Sequence, residues 1–287
     1  HKIDTTGGHV GPNLGFLEAT IALHTVFNSP QDKIVFDVSH QCYAHKMLTG
    51  RKKYFMDESL YEEISGFTAP KESVHDLFQI GHTSTGVSLA TGLAKARDLR
   101  HQKFNVVAVV GDGSLTGGEA LEGLDNASVL GSNIIIIVND NEMSIAENHG
   151  GLYQNLRLLR ETNGMAENNF FKAMGFEYHY VANGNNIADL TEMFEKVKDT
   201  EVPVIIHIHT LKGHGLKVAE ENKEIFHWIM PGTVTQMQHP SSTPAVHSPD
   251  YTSLTVDWLL QQKKTDSTVI AVTAGTPSAL GFFFHFP

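Results

Sequence analysis

The sequence predicts an α/β fold: a parallel sheet with helices on both faces. Three observations carry that reading. Short apolar runs alternate with stretches of helical periodicity, the order expected of βαβ units. The runs are apolar throughout rather than at every second residue, as strands buried on both faces require. Several of them end at glycine, aspartate, asparagine or histidine, where ligands of parallel sheets bind, at the carboxyl ends of strands.

The elements follow in order. Residues 14–27 (LGFLEATIALHTVF) carry apolar side chains at helical spacing and read as a core-facing helix. Within residues 32–41, IVFDV reads as a short buried strand ending at the polar turn SHQ. Residues 84–100 (STGVSLATGLAKARDLR) read as a small-residue helix with a charged end. FNVVAVV (104–110) is a strand, GGEALEGLDNASVL (117–130) a helix and NIIIIV (133–138) a strand. NNFFKAMG (168–175) reads as a short helix and FEYHYV (176–181) as a strand. IADLTEMFEKVKD (187–199) is an amphipathic helix, and PVIIHIHT (203–210) another strand.

Residues 1–232 are therefore expected to form one domain. From 233 to 250 the text turns rich in Pro, Ser, Thr and His (TVTQMQHPSSTPAVHSPD) and reads as a linker. After it, YTSLTVDWLLQQ (251–262) reads as a helix and TVIAVTAG (268–275) as a strand. One helix and one strand cannot bury a core, so residues 251–287 are expected to be the truncated start of a second domain.

Bulk properties narrow the function. With 287 residues, 41% hydrophobic and 18% charged, the chain is ordinary globular text. Its net charge of -11 argues against a nucleic-acid surface. No apolar run is long enough to span a bilayer. The single cysteine, Cys42, excludes an intrachain disulfide, favours a reducing cytoplasm and reads as a small buried residue.

Asp112 and Asn141 each lie just past an apolar run, with 27 residues between Gly113 and Asn141. If the two runs are adjacent strands, a carboxylate and an amide oxygen meet at one edge, with the Met143 carbonyl able to point the same way. Hard oxygen ligands suit Mg²⁺ or Ca²⁺, and Mg²⁺ is commonly shared with phosphates. Gly111 and Gly113 let backbone approach a phosphate, and the following helix offers free N–H groups. An alternative stays open for GDG alone: a strand–turn–helix corner with Asp112 as helix cap.

The motif GDG, helix, strand, asparagine resembles the thiamine-diphosphate signature. The surrounding words, TGGHVGPNLGFLEATIALH, DVSHQCYAHKMLTGR, GHTSTGVSLATGLAKARDL, GDGSLTGGEALEGLDNA, NDNEMSIAEN and KGHGLKVAEENKEIFHW, resemble the 1-deoxy-D-xylulose-5-phosphate synthase family, in that family's order. The resemblance runs from His1 to the linker and resumes at VTAGTP; transketolases share the fold but match these words less well. It implies the diphosphate-binding domain of a thiamine-diphosphate fold. Asp112, Asn141 and the Met143 carbonyl would hold Mg²⁺, and Gly113 and Ser114 would contact the diphosphate. His40 and Gly81, His82 and Thr83 would line the cofactor, with Lys212 as a cation near the diphosphate. His9 and His227 would lie near the thiazolium carbon and the substrate, where imidazoles shuttle protons. The implied reaction joins pyruvate to glyceraldehyde 3-phosphate with loss of carbon dioxide, giving 1-deoxyxylulose 5-phosphate for isoprenoid, thiamine and pyridoxal synthesis. The fold usually forms homodimers.

Other histidines have plainer readings. His24 and His207 sit in apolar periodic segments and read as structural; His45 reads either way. His9 alone, after two glycines, would be structural, and only the phrase GGH reverses that. His149, His239 and His247 lie in loop or linker text. A zinc site from His207, His209 and His214 fails, because that strand is expected to lack a carboxylate or cysteine partner.

Three departures from the family pattern matter. The glutamate that activates the aminopyrimidine ring belongs to the second domain and has no match here; Glu119 and Glu142 lie outside its motif. The stretch 147–176 is short for the family, which leaves the acceptor open. Leu216 stands where an aromatic residue is expected after KGxG. The chain is thus expected to be an incomplete portion that does not turn over alone and needs the pyrimidine-binding domain. A transketolase-like ketol transferase subunit and a non-catalytic relic remain the alternatives.

Overall fold

The protein is described here by a computed structural model covering residues 1–238 and 250–272. Five strands form one parallel sheet: β1 (Lys33–Phe36), β2 (Val106–Gly111), β3 (Ile134–Asp140), β4 (Glu177–Val181) and β5 (Pro203–His209), in the order β1-β2-β3-β5-β4. The apolar runs have a direct explanation in their two faces. Val107, Val109, Ile135, Ile137, Ile206 and Ile208 pack towards α1 (Leu17–Val26) and α5 (Ile187–Val197). The alternate residues Val106, Ala108, Val110, Ile136, Val138 and Ile205 pack towards α2 (Gly86–Leu99), α3 (Gly118–Ser128) and α4 (Gly151–Glu161). Both halves of the pleat are buried, so no polar alternation survives.

The register fixes what meets at the carboxyl edge. Gly111 at the end of β2 pairs with Asn139, and Asp140 at the end of β3 pairs with His209. Asp112 and Asn141 therefore leave neighbouring strands side by side.

The structure differs from the sequence expectation in several places. The strand expected over IVFDV stops at Phe36: the Asp37 N–H still donates to the Val109 carbonyl (2.8 Å), but Val38 and Ser39 then take φ of 56° and 65°. Consecutive left-handed residues cannot continue a ladder, and a β-branched valine there is strained. The helix expected over 14–27 is two pieces, Gly11–Gly15 and Leu17–Val26, interrupted at Phe16. α4 was not anticipated, although Leu152, Leu156 and Leu159 give it an apolar stripe that packs on the sheet.

The expected linker is corrected at its start. Thr233–Gln238 is a helix, because the Asp4 carboxylate accepts from the Val234 N–H (2.8 Å) and the Thr235 hydroxyl (2.5 Å) at its first turn. Residues 239–249 of that stretch lie outside the described residues. The later helix forms over Tyr251–Thr265, α6, started by a capping box between Asp250 and Ser253. The strand expected over 268–275 is absent from residues 268–272, where Thr268 bonds the Asp266 carboxylate instead; the rest of it, and residues 273–287 of the second region, lie outside the described residues.

Candidate functional site

A cavity of about 700 Å³ opens at the carboxyl edge of the sheet. Its wall gathers residues from seven segments: His9, His40, Thr83, Gly111 to Ser114, Asn141 with Met143, Lys212, and His227.

Asp112 forms one end. It is 2% exposed, and its carboxylate accepts from the N–H groups of Gly113 (2.7 Å) and Asn141 (3.2 Å). Among the described residues no cation pairs with it. Burial first, and then the neighbouring Asp140 charge, push its carboxyl well above the usual carboxylate range. The Asn141 side-chain oxygen accepts from the Met143 N–H (3.3 Å), and Asn141 and Met143 face the same cavity. One carboxylate, one amide oxygen and one main-chain carbonyl make an all-oxygen set fitted to a hard divalent ion. Asp112 does not cap a helix: a 3₁₀ turn, Ser114–Thr116, intervenes before α3 starts at Gly118.

The glycines have distinct reasons. A Cβ on Gly113 would lie 2.2 Å from the Ser144 hydroxyl oxygen, so Gly113 is forced by close packing. A Cβ on Gly111 would meet nothing within 4 Å and would project into free space at the cavity wall. Ser114 and Thr83 line the same wall, whereas Gly81 and His82 are exposed and fall outside the lining. The His82 ring turns back to the Thr83 carbonyl (2.8 Å).

Three imidazoles line the same cavity as Asp112. The ring centroids of His9 and His40 are 5.0 Å apart, of His9 and His227 5.5 Å, and of His40 and His227 5.3 Å. Burial, helped by the Lys212 charge, lowers His9 to about 4 and His227 to about 3; burial and the two neighbouring rings hold His40 well below its ordinary value. All three are neutral near pH 7. The Nδ1 atoms of His40 and His227 are buried without a hydrogen-bond partner among the described residues, as suits a cleft built to receive polar groups. Lys212, 1% exposed, donates to the Ser144 carbonyl (2.6 Å), and burial lowers it to about 8 against the pull of Asp112.

Sequence reading missed four residues that build this site. The Asn13 amide donates to the His9 and His40 carbonyls (both 2.7 Å) and accepts from the Tyr43 N–H (2.9 Å), tying two histidine loops together. Asp37 caps the loop carrying Thr83. Asp140 and His207 form the third and fourth, and they correct the expectation that the His207 strand lacks a carboxylate: the ring nitrogen lies 2.8 Å from Asp140, which ends the neighbouring strand and also pairs with Arg160. Burial alone would raise Asp140, but His207 and Arg160 outweigh it and hold it at about 2. Tyr178 bonds the far side of the His207 ring (2.8 Å). A larger cleft of about 980 Å³ shares the wall at Met143 and Tyr153, but its lining mixes Arg157, Arg160 and Lys223 with several glutamates and has no single charge preference.

Comparison with known proteins bears on the fold and the family. The chain is similar to a transketolase from Campylobacter jejuni (TM-score 0.59, 21% identity, 92% of this chain and 45% of that one) and to one from Leishmania mexicana (TM-score 0.57, 21% identity, 75% and 35%), which shows the fold. It is 39% identical to a 1-deoxy-D-xylulose-5-phosphate synthase from Desulfitobacterium hafniense over 316 aligned positions, 97% of this chain and 49% of the relative. It is 40% identical to one from Listeria monocytogenes over 279, 95% and 46%. The chain thus spans about half the length of the curated relatives it matches. A family model described as 1-deoxy-D-xylulose-5-phosphate synthase matches residues 1–167 and 157–210. With the paired strand exits, the glycine corner and the histidine wall in the same chain, these matches show that it belongs to the 1-deoxy-D-xylulose-5-phosphate synthase family.

Proposed function

We propose that this chain is the diphosphate-binding portion of an enzyme that condenses pyruvate with glyceraldehyde 3-phosphate, with decarboxylation, to give 1-deoxy-D-xylulose 5-phosphate. The observation that carries the reading is the buried Asp112 carboxylate, with no cation paired to it among the described residues, beside Asn141 in the cavity, in a chain of this family. Asp112, Asn141 and the Met143 carbonyl would hold Mg²⁺. Gly111, Gly113, Ser114, Thr83 and Lys212 would surround the diphosphate of thiamine diphosphate. The Gly81 and His82 side of that loop would reach the cofactor only from outside the present cavity lining. Thiamine diphosphate, when bound there, would supply a nucleophilic thiazolium carbon and an electron sink for the decarboxylation of pyruvate.

His40 packs against His9 and His227. His9 and His227 are neutral imidazoles, so each can take a proton from a substrate hydroxyl at a ring nitrogen and return it. The pyrimidine-binding domain would complete the site, in a cytoplasmic homodimer. The free, buried Cys42 fits a reducing compartment, and among the described residues no helix is long and apolar enough to cross a membrane.

The test is pyruvate-dependent carbon dioxide release by the full-length protein, stimulated by glyceraldehyde 3-phosphate. Use of ketose donors without pyruvate decarboxylation would replace the reading with transketolase-like ketol transfer, and absence of both would leave a non-catalytic relic. Asp112→Ala is expected to abolish Mg²⁺-dependent cofactor binding in calorimetry; unchanged affinity would remove the metal assignment.

A further inference from the structure

Asp37 lines no part of the cavity, yet three of the loops that do converge on it. Its carboxylate is 1% exposed. One oxygen accepts from the Ser84 N–H (3.0 Å) and the other from the Gly86 N–H (2.7 Å). Gly86 is the first residue of α2, whose own N-cap, Thr85, makes no side-chain cap bond. A carboxylate delivered from β1 therefore caps a helix that begins on another loop, where the partial positive end of a fourteen-residue helix favours a negative charge. The approach is tight: a Cβ on Gly86 would fall 2.9 Å from both Cα and Cβ of Asp37.

The chain of contacts continues into the glycine corner. The Ser114 hydroxyl faces the Asp37 carboxylate, and the Ser84 hydroxyl donates to the Ser114 carbonyl (2.8 Å). A Cβ on Gly117 would lie 1.9 Å from that Ser84 oxygen, so no side chain fits between the two loops. On the other side, Asp37 begins the turn that carries His40. Its carbonyl accepts from the Ser39 N–H (2.5 Å) and from the Gln41 amide (3.2 Å), across the two residues held at positive φ. Ser84 is itself held at φ 74°. Strained backbone of this kind persists only where surrounding bonds over-determine it.

We infer that Asp37 is a positioning residue: it holds the loops bearing His40, Thr83 and Gly113–Ser114 in one register, so that they form a single cofactor wall. This rests on the proposed thiamine-diphosphate site and adds to it a residue that touches none of the bound groups. Asparagine at this position keeps the shape but has one accepting oxygen, and its NH₂ would face an N–H donor. The defect is local, since the sheet below is fixed by β1–β2 ladder bonds that Asp37→Asn leaves intact.

The experiment compares wild type, Asp37→Asn and Ser84→Ala in the full-length protein. Hydrogen exchange without cofactor is the first readout, thiamine diphosphate with Mg²⁺ titrated by calorimetry the second. Asp37→Asn is expected to speed exchange about tenfold or more in residues 81–86 and 112–117, while β2 and β3 stay protected, and to weaken cofactor binding by about ten- to a hundredfold. Ser84→Ala should loosen the same two loops to a smaller degree. Unchanged exchange in those loops for both variants would overturn the inference, as would a uniform rise across the sheet. Failure of the wild type to bind the cofactor would instead overturn the proposed function, and the exchange data would still decide whether Asp37 couples the loops.

Discussion

Asn13 shows how a site can depend on a side chain with no chemistry of its own. Its amide uses two donor positions and one acceptor on the His9, His40 and Tyr43 backbones. Replacement by alanine leaves the buried Tyr43 N–H without a partner and frees two histidine loops. Asn13→Ala is expected to cost about 1–3 kcal/mol of stability in denaturant unfolding and, in the full-length protein, to lower turnover more than cofactor affinity, since the loops it joins carry His9 and His40 rather than the proposed metal ligands. Stability and turnover both equal to wild type would show the bridge to be idle. The place of Asp112 and Asn141 at the carboxyl edge of neighbouring strands was legible in the sequence, because each follows an unmistakable apolar run. Asn13 and Asp37 were not, because what they bond is main chain supplied by residues far away in sequence. The sequence gives a side chain's type directly but gives its backbone partners only through the fold.

At the scale of elements, the strands were the most legible part, since burial on both faces writes a continuous apolar run. Their ends were the least. β1 stops two residues early because Val38 and Ser39 adopt left-handed backbone, a choice dictated by the loops around them. The helix over Thr233–Gln238 was read as linker because its first turn is stabilised by Asp4, from the opposite end of the chain. α4 was missed despite a readable stripe of leucines. β3 is buried along its whole length and lies between β2 and β5, with Ile136 paired to Ala108 and Ile205. Ile136→Ala is expected to destabilise the protein by about 2–5 kcal/mol, measured by chemical unfolding, with a matching loss of cofactor binding only near the unfolding midpoint. A drop in affinity far below that midpoint would mean that β3 also tunes the site through Asn141.

Across the whole molecule, a second buried polar network ties distant segments together away from the cavity. His24 on α1 bonds the His45 ring (2.9 Å), His45 bonds Asp76 (3.0 Å), and Asp76 receives two bonds from Arg51 (2.6 and 2.8 Å). Lys46 and Arg51 also reach Glu72, and His75 lies nearby, bonded to Ser29. Burial lowers His24 to about 4, with His45 and His75 adding to the shift; burial likewise lowers His45, although Asp76 opposes it. Burial alone would raise Asp76, but Arg51 and His45 outweigh it and hold its carboxyl well below the usual range. The signs agree. A histidine whose folded value lies below 6.5 stabilises the fold fully above that pH, and the contribution is lost as pH falls through the folded value, because the unfolded chain binds the proton first. A carboxylate with a depressed value stabilises the fold above its unfolded value, near 4, and loses that contribution below it. Stability of the cofactor-free protein is therefore expected to fall from pH 6.5 to about 4, by up to about 1.4 kcal/mol per pH unit for His24, with His45 and the cavity histidines His9, His40 and His227 adding in the same direction, and to fall further below pH 4 as Asp76 titrates. Thermal unfolding between pH 7 and 3.5 measures it. His24→Gln should flatten the upper part of the profile and leave the lower part in place. A flat wild-type profile from 6.5 to 4, or an unchanged slope in His24→Gln, would show that protonation of this pair does not oppose the fold.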